Sequence, residues 1–320
     1  MRYLITGGAG FIGSHLAEYL LAAGNEVVVW DNLSTGQTDN LKACEANPKF
    51  SRIYSDMTAD AVFDSTVGQC DAIFHLAAAV GVQLIVNDPV RTIETNINGT
   101  QVALHAAAKY KKPILITSTS EVYGKSSKIP FSEEDDTTYG PTTRRRWSYA
   151  ISKAVDEFLL LAYHESHSLP GVIVRLFNTV GPRQSPHYGM VLPRFVQQAK
   201  RGEQLTVFGD GTQSRCFCHV AEIVPALVKL LHCPQAQGQV VNLGASEEVT
   251  MTQLAQRVIA RVNPSLSIQY VPYSVAYRPG FEDMPRRVPD ITKANRLIGF
   301  KPQLTLDQII DSVAASSSPN

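Results

Sequence analysis

The chain has 320 residues, of which 44% are apolar and 18% charged, so it can build a folded core and is not a disordered protein. Its 29 Lys and Arg side chains balance its 29 Asp and Glu side chains, which excludes a protein that holds nucleic acid or an anionic membrane by a basic surplus. The balance hides an asymmetry, because residues 1–170 carry a net charge of −5 and residues 171–320 a net charge of +5. Eleven of the 15 positive residues in the second part are arginine, which predicts a small anionic ligand there.

The five cysteines predict neither a disulfide framework nor a metal site. Their number is odd and no CxxC pair occurs, so a reducing compartment fits best. Met1 leads at once into a strand-like run, and no apolar run approaches the ~18 residues that cross a bilayer. We therefore expect a cytoplasmic protein without a signal peptide, without a membrane span and without a nucleic-acid partner.

Short apolar, β-branched runs alternate with longer helical patterns through the first 176 residues. Because these runs are continuous, both faces of each strand should be buried, as in a parallel sheet. The alternation predicts an α/β fold, a Rossmann-type doubly wound parallel sheet with helices on both faces. The predicted strands cover 3–6, 26–31, 72–76, 113–118 and 172–176, and the predicted helices cover 11–23, 91–110 and 148–166.

Beyond about residue 176 prolines become frequent, which indicates a second, smaller lobe of mixed α/β structure. Residues 240–244 form a candidate strand that returns to the first domain. We predict a first domain over 1–175, with a return segment near 215–244, and a ligand-binding lobe over 176–320. The short helices predicted in this part cover 190–201, 220–232, 250–261 and 305–315, and the tail 316–320 is expected to be disordered.

The predicted helix over 148–166 is apolar on nearly all sides. One apolar face would be enough to pack on the sheet, so a second face suggests the interface of a homodimer. The alternative is burial under loops of the same chain. The apolar residues are Ile151, Ala154, Val155, Phe158, Leu159, Leu160, Leu161 and Ala162.

A glycine-rich turn joins the first strand to the first helix. Gly7, Gly10 and Gly13 allow a tight turn and a close approach of the backbone to a pyrophosphate, which the helix N-terminus then attracts. Asp31 ends the next strand, where its carboxylate would accept hydrogen bonds from the adenosine ribose and repel a 2′-phosphate. The unit predicts an NAD-binding domain over 1–175, against the alternative that Asp31 is an ordinary loop aspartate.

Tyr149 and Lys153 lie four residues apart on a predicted helix and therefore share one face. The lysine ammonium, with the positive nicotinamide ring, would lower the pKa of the phenol and make it a base. The alternative is a surface tyrosine beside a solvated lysine. Residues 118–121 end a predicted strand and offer three hydroxyls and a carboxylate, which are suited to surrounding a sugar.

These motifs together resemble the extended short-chain dehydrogenase/reductases, and within them the nucleotide-sugar epimerases, dehydratases and decarboxylases. The resemblance rests on the turn at 7–13, the Tyr149/Lys153 pair, residues 74–78 and Asn178, and it extends over nearly the whole chain. It implies NAD as the cofactor and a UDP-sugar as the substrate. The cofactor-binding residues that it implies are Gly7, Gly10, Phe11, Ile12, Gly13, Asp31, Asn32, Ser34, Thr35, Gly36, Asp56, Met57, Leu76, Ala77, Ala78, Asn96, Ser118, Tyr149 and Lys153.

The resemblance also implies a shared opening step. Tyr149 takes the proton from the sugar O4, helped by Ser118 or Thr119, while the C4 hydride passes to NAD⁺ and leaves a 4-keto sugar. The sugar is then epimerised, dehydrated or decarboxylated, and the cofactor is regenerated. The catalytic residues that it implies are Tyr149, Lys153, Thr119, Ser120 and Glu121.

Three features resemble the UDP-glucuronate decarboxylases of the UDP-xylose synthase type. Glu121 stands where simple 4-epimerases usually carry a non-acidic residue, and Arg146 lies one helical turn before Tyr149, near the C6 carboxylate of the sugar. Residues 286–290 resemble a late arginine motif, whereas 80–85 and 216–219 depart from the family pattern. The substrate-binding residues implied are Arg146, Asn178, Arg183, Arg215, Arg278, Arg286 and Arg287.

The leading hypothesis is therefore an NAD-dependent UDP-glucuronate decarboxylase. A 4-epimerase acting on UDP-glucuronate or UDP-glucose is the first alternative. A 4,6-dehydratase is a further alternative, against which Asp31 counts because such enzymes typically use NADP. The last is a non-catalytic NAD sensor, although sensors commonly lack the tyrosine or lysine that this chain retains.

Overall fold

A parallel sheet of seven strands forms the centre of the first domain in a computed structural model that describes residues 1–80, 88–186, 190–276 and 282–316. Short 3₁₀ turns cover Thr38–Cys44, Ser120–Tyr123 and Pro234–Ala236. In chain order the elements up to residue 180 are β1 (Arg2–Thr6), α1 (Phe11–Ala22), β2 (Glu26–Asp31), β3 (Phe50–Tyr54), α2 (Val62–Gln69), β4 (Ala72–His75), α3 (Pro89–Lys109), β5 (Ile114–Thr119), α4 (Trp147–His167), β6 (Gly171–Leu176) and β7 (Thr179–Val180).

The later elements form the second lobe, except that one strand joins the sheet and two helices pack with the first domain. They are α5 (Val191–Lys200), β8 (Leu205–Phe208), β9 (Ser214–Cys216), β10 (Cys218–His219), α6 (Val220–Leu231), β11 (Gln239–Leu243), β12 (Glu248–Thr250), α7 (Met251–Val262), β13 (Ile268–Val271), α8 (Tyr273–Ala276), β14 (Arg286–Arg287), α9 (Thr292–Ile298) and α10 (Leu306–Ser316).

The sheet has the strand order β11-β6-β5-β4-β1-β2-β3, and its strand pairs are parallel. The α/β fold class and the five strands predicted from continuous apolar runs are confirmed, and the predicted helices begin and end within two residues of the observed ones. The candidate strand near 240–244 is β11, which pairs with β6. The tail 316–320 is predicted to be disordered; of these residues only Ser316 is among those that the structure describes.

Two elements of the first domain are absent from the sequence-based prediction. β3 is the edge strand of the sheet, and Ser51, Arg52 and Tyr54 are exposed on it, so it lacks the continuous apolar run of its neighbours. α2 has only eight residues and buries Phe63, Thr66 and Val67, which is too short a pattern to predict a helix.

Helices cover both faces of the sheet. On one face α1 and α6 bury Leu16, Leu20 and Ile223, and on the other face α3 and α4 bury Leu104 and Leu160. The second lobe has its own core, which α5, α7 and α10 build against the β8–β13 pair. None of the described helices combines the length and the apolar character that crossing a membrane requires.

The polarity of the sheet decides where a ligand can lie. β1 lies between β2 and β4, so the chain first moves outward to β3 and then crosses back to begin β4 on the other side of β1. At such a reversal the loops at the carboxyl ends diverge and open a crevice. The residues that follow β1, β2, β4 and β5 therefore lie along one edge of the sheet.

A bridging segment, residues 282–287, connects the two lobes beside this edge. Met284 is buried in a cluster that includes Tyr123 and Phe131 of the first domain. Further along, Arg286 and Arg287 form β14, which pairs with β9 of the second lobe. The segment thus lies fixed between the lobes at both of its ends.

Candidate active site

A cavity of about 660 Å³ lies between the carboxyl edge of the sheet and the second lobe. Most of the residues that the sequence implicates in binding and catalysis line it. From the first domain these are Gly7, Gly10, Phe11, Ile12, Gly13, Asp31, Asn32, Ser34, Thr35, Asp56, Met57, Leu76, Ala77, Ala78, Ser118, Thr119, Ser120, Glu121 and Tyr149, and beyond it they are Asn178, Arg183, Arg215 and Arg287.

The glycine turn brings backbone to backbone at one end of the cavity. Gly7 has φ +68°, and a Cβ there would lie 2.7 Å from the amide nitrogen of Ala77. A Cβ on Gly13 would lie 2.3 Å from the carbonyl oxygen of Gly7, so only glycine fits. Gly10 precedes α1 and offers no side chain to cap it, so the first amides of the helix are left for an anion. This geometry fits the pyrophosphate of a dinucleotide.

Asp31 lies at the end of β2 in the wall of the same part of the cavity. Its carboxylate accepts hydrogen bonds from the amides of Leu33 at 2.7 Å and Ala9 at 2.9 Å, which fix its orientation. Burial raises the pKa of Asp31, and the two amide donors oppose that rise. Gly36 does not line the cavity, but a Cβ there would lie 2.9 Å from the Asp31 oxygens, so Gly36 makes room for the carboxylate.

Tyr149 lies in the first turns of α4 and reaches the cavity with a nearly buried side chain. Burial and the Glu121 carboxylate raise the pKa of its phenol, whereas a hydrogen bond with Thr119 lowers it. Lys153 is buried one turn further along, where its ammonium donates to Asp156 at 2.7 Å. The expected lowering of the Tyr149 pKa by Lys153 is not observed: burial and Glu121 raise this pKa. Asp156, the carboxylate that accepts from Lys153 and that the sequence analysis overlooked, raises it further.

Glu121 holds two arginines beside Tyr149. Arg146 donates to both carboxylate oxygens, with Nη2 2.9 Å from Oε1, and Nη1 of Arg287 lies 3.3 Å from Oε1. Burial alone would raise the pKa of Glu121, but the charges of Arg146 and Arg287 outweigh it and hold this pKa at about 2. Glu121 is therefore anionic at neutral pH and positions the two arginines.

A second carboxylate, Asp283, completes an arginine cluster that we define as Glu121, Arg146, Arg215, Asp283 and Arg287. Nη2 of Arg215 lies 3.0 Å from each oxygen of Asp283, and Nη2 of Arg287 lies 3.7 Å from Oδ1. The positive charge of Arg146 is balanced by the negative charge of Glu121. Arg215 and Arg287 therefore share the one negative charge of Asp283. Burial and repulsion from Arg215 lower the pKa of Arg287 to about 10. Within the described residues the cluster thus carries one excess positive charge.

A polar network supports this wall from behind. The Ser118 hydroxyl donates to Glu157, which also accepts from Arg175 Nε at 3.0 Å and Nη2 at 2.7 Å. Ser118 is therefore engaged with the protein, whereas Thr119 interacts with the Tyr149 phenol. Of the two hydroxyls implied as helpers of Tyr149, the geometry favours Thr119.

Several implicated residues do not line the cavity. Asn96 is buried, accepts from the amide of Ala79 at 2.8 Å and donates to Ser152 Oγ at 3.1 Å, so it braces α3 against α4. Arg286 is exposed and pairs with Glu248 at 2.7 Å, which corrects its assignment to the substrate. Two other described residues that do not line the cavity are Arg146 and Lys153, which lie behind Glu121 and Tyr149. Arg278 and residues 81–85 lie outside the described part of the chain.

Arg183 lines the cavity but is held by the protein. Its guanidinium donates to Glu18 of α1 at 2.6 Å and to the carbonyl oxygen of Asn40 at 2.9 Å. It therefore ties the loop after β7 to the first domain. Residues 216–219, which depart from the family pattern, have partly structural roles. Cys216 and Cys218 are buried, and His219 accepts from the amide of Ala221 at the start of α6. Phe217, by contrast, lines the cavity.

The second lobe adds an aromatic wall that the sequence analysis missed. The guanidinium carbon of Arg194 lies 4.1 Å from the centre of the Phe208 ring. Phe208, Phe217 and Tyr273 all line the cavity. Each is a single aromatic residue in an unremarkable local pattern, so only the folding of the lobe reveals that they share a surface.

The amino-acid sequence of the chain is similar to a known protein family and to several characterised enzymes. The sequence profile of the GDP-mannose 4,6 dehydratase family matches residues 4–313. The UDP-N-acetyl-α-D-glucosaminuronate decarboxylase of Bacillus cytotoxicus is 41% identical over 308 residues, which is 96% of this chain and 94% of that one. UDP-glucuronic acid decarboxylase 5 of Arabidopsis thaliana is 40% identical over 307 residues, 96% of this chain and 86% of that one.

A solved structure shares both the fold and part of the sequence. The UDP-glucuronic acid 4-epimerase from Bacillus cereus, in complex with UDP-glucuronic acid and NAD, superimposes with a TM-score of 0.87 at 29% identity. The similarity covers 99% of this chain and 98% of the epimerase.

Replacing Glu121 with Gln should destabilise the protein by about 3 kcal/mol near pH 7, because Arg146 would lose its buried partner. The folded-state pKa of Glu121, about 2, is below its ordinary value of 4.5, so its stabilisation is present above about pH 4.5 and is lost as the pH falls toward 2. Urea unfolding near pH 7 and near pH 3 should therefore show a smaller difference between wild type and variant at the lower pH. Asp311→Asn, at an exposed ion pair, is the control, and a difference that is equal at both pH values would contradict the assignment.

Proposed function

We propose that this chain, which belongs to the extended short-chain dehydrogenase/reductase family of nucleotide-sugar epimerases and dehydratases, removes the C6 carboxyl group of UDP-glucuronate or a closely related UDP-hexuronate. The products are CO₂ and a UDP-pentose. The observation that carries the proposal is the excess positive charge of the arginine cluster beside Tyr149. The diphosphate is common to every UDP-sugar, so what distinguishes a hexuronate is its carboxylate. That group can supply a negative charge to the cluster at the sugar itself, whereas a neutral hexose ring brings none.

Tyr149 is the residue that handles the proton at the sugar O4. Bound NAD⁺ would accept the C4 hydride and return it once the carboxyl group has gone. Tyr149 takes the O4 proton while Thr119 hydrogen-bonds the phenol and Arg146 favours the phenolate by its charge. With C4 a ketone, the C6 carboxylate is a β-keto acid: the C5–C6 bond breaks, CO₂ leaves, and the electron pair delocalises onto O4. The resulting enolate takes a proton from solvent at C5, which gives the 4-keto pentose, and Tyr149 returns its proton to O4 when C4 is reduced again.

The arginines hold the carboxylate until it leaves. Arg215 and Arg287 line the cavity, and each has a planar guanidinium that can fork onto two carboxylate oxygens. Arg146 does not reach the cavity wall and instead fixes Glu121, which in turn fixes Arg287. The carboxylate therefore meets Arg215 and Arg287, whereas the sequence pattern pointed to Arg146.

All five cysteine side chains are free thiols, which supports a reducing compartment such as the cytoplasm. Four of them are buried. Burial raises the pKa of Cys44 and Cys70 to about 11, so these thiols are unreactive at neutral pH.

The cofactor is NAD rather than NADP, because the fixed Asp31 carboxylate meets the adenosine ribose and would repel a 2′-phosphate. Protein that is denatured after purification should release NAD, as identified by mass. Asp31→Ser should raise the affinity for NADP⁺ relative to NAD⁺ by about tenfold or more, measured by calorimetry. An unchanged ratio would contradict the role of Asp31.

Incubation with UDP-glucuronate, UDP-glucose and GDP-mannose, with products identified by mass, tests the reaction. UDP-glucuronate should give CO₂ and a UDP-pentose, and Tyr149→Phe should lower kcat by about 10²–10⁴-fold. Tyr163→Phe, on the same helix but outside the cavity wall, is the matched control. Formation of UDP-galacturonate without CO₂ would overturn the proposal in favour of a 4-epimerase.

We further propose that the chain forms a homodimer through α3 and α4. Phe158 of α4 is 73% exposed, and Val90 and Ile93 of α3 add exposed apolar surface to the same pair of packed helices. Phe158→Glu should convert a dimer into a monomer in sedimentation velocity. Tyr270→Glu, at another exposed aromatic residue on β13, should leave the dimer intact. If wild-type protein sediments as a monomer, this part of the proposal is wrong.

A further inference from the structure

Tyr149, Lys153 and Asp156 form one stripe along α4. Their spacings of four and three residues place the three side chains on the same face of the helix. The side chain of Lys153 is 2% exposed and that of Asp156 is fully buried, so water solvates neither charge. Burial raises the pKa of Asp156, and the charge of Lys153 opposes that rise. A lysine at this depth is stable because a carboxylate accompanies it.

Asp156 is held from two sides. The Lys153 ammonium donates to its Oδ2 at 2.7 Å, and the hydroxyl of Thr100 on α3 donates to the same carboxylate. Oγ1 of Thr100 also lies 3.3 Å from Nε2 of His75 on β4, whose Nδ1 lies 2.8 Å from the hydroxyl of Thr6 on β1. This chain of hydrogen bonds connects the sheet with Asp156. It fixes where the carboxylate lies and therefore where the Lys153 ammonium lies.

Other charged and titratable groups surround the stripe on β4, on the turn after β5, on β6 and β14, and at the start of and within α4. They are His75, Glu121, Arg175, Arg287, Arg146 and Glu157. His75 is neutral, because burial and the charge of Lys153 lower its pKa to about 3. The two glutamates are paired with the three arginines. Among the described residues, Asp156 is therefore the carboxylate that balances Lys153.

The pairing of Lys153 has a consequence for Tyr149. Glu121 and Asp156 both raise the pKa of the Tyr149 phenol, whereas Arg146 lowers it. An ammonium one turn away on the same helix would favour the phenolate, but its charge is matched by Asp156. The phenol therefore keeps its proton to higher pH than the Tyr149/Lys153 pair alone would allow.

We propose that Asp156 is a positioning residue that keeps the Lys153 ammonium paired behind Tyr149, so that the phenol ionises only at higher pH and is then a stronger base. The inference rests on the proposed function in one respect, which is that Tyr149 takes the proton from the sugar O4. It concerns a step that precedes the loss of the carboxyl group.

The two parts of this effect are linked. A group that holds its proton more firmly also removes a proton from the substrate more readily once it is ionised. Without Asp156, the unmatched Lys153 charge would stabilise the phenolate, and Tyr149 would act at lower pH as a weaker base. Asp156 is not part of the cavity wall, so it acts through Lys153 and Tyr149 rather than on the substrate.

The pH dependence of kcat with UDP-glucuronate tests the inference. In wild type, kcat should fall at low pH as the phenolate is protonated. Asp156→Asn should move the midpoint of this fall to lower pH by about one pH unit and lower the plateau of kcat by about two- to fivefold. Asp156→Glu keeps the carboxylate and should restore the wild-type midpoint. Asp64→Asn is the matched control, since Asp64 also accepts from a lysine, Lys109 at 2.6 Å, but lies on α2 outside the cavity wall.

Titration of the phenol in the absence of substrate gives a readout that does not depend on turnover. The ultraviolet difference absorbance between wild type and Tyr149→Phe reports the phenolate at this position. The same difference, measured in the Asp156→Asn background, should develop at a pH that is lower by about one unit or more.

A merely structural role of Asp156 would give a different pattern. Asp156→Asn would then unfold at lower urea concentration and lose kcat at every pH, with unchanged midpoints in both titrations, and the inference would be wrong. A midpoint that moves to higher pH would overturn it as well. If near-ultraviolet circular dichroism shows that Asp156→Asn does not fold, Asp156→Ser removes the same charge with a smaller side chain and takes its place.

Failure of the proposed function can be told apart from failure of this inference. If Tyr149→Phe retains the wild-type kcat, the assigned role of Tyr149 is wrong, and the inference falls with it. If wild type forms UDP-galacturonate without CO₂, decarboxylation is wrong, but the shift in midpoint still decides the role of Asp156, because epimerisation begins with the same proton removal. If Tyr149→Phe is inactive and Asp156→Asn leaves the midpoint unchanged, only the role of Asp156 is wrong.

Discussion

Parallel pairing of β1 with both β2 and β4 fixes the position of the functional groups that the first domain supplies. Because all three strands run in one direction, their carboxyl ends meet at one edge, and the reversal of strand order there opens the crevice. The glycine turn after β1, Asp31 at the end of β2 and the polar run at the end of β5 thereby face one cavity although they lie far apart in the chain. The second lobe closes this cavity without having to build a separate site.

The chemistry of the site depends on how charges are distributed within that cavity. Tyr149 is buried, so its phenol resists ionisation, and the groups around it decide when it can act. Glu121 raises the pKa of this phenol, but the same carboxylate is needed to hold Arg146 and Arg287 in place. Glu121 therefore has two opposing effects: it makes the Tyr149 phenol less acidic, and it holds the two arginines rigidly. That arrangement suits a substrate that itself carries a negative charge next to the reacting carbon.

Local sequence patterns predict the parts of this protein that form within short stretches of chain. The buried strands, the glycine turn and Asp31 at a strand end fall into this class, because each is defined by its immediate neighbours. The Glu121–Arg287 contact joins residues 166 positions apart, and no local pattern encodes such a pairing. Asn96 shows a second kind of long-range contact: its hydrogen bonds go to Ala79 and Ser152, 17 and 56 positions away, which no local pattern indicates.

The charge asymmetry of the sequence predicts an anionic ligand, but the structure supplies a different reason for it. Several arginines in the second part are bound in ion pairs away from the cavity; Arg257 contacts Glu247 and Asp307, and Arg261 contacts Asp311. Such exposed pairs contribute little to a field inside the cavity, because solvent screens them. The attraction for an anion comes instead from Arg215 and Arg287, which share one carboxylate in a poorly hydrated wall. A single unmatched charge held there acts more strongly on a ligand than the summed charge of the lobe, since burial removes the water that would otherwise weaken it.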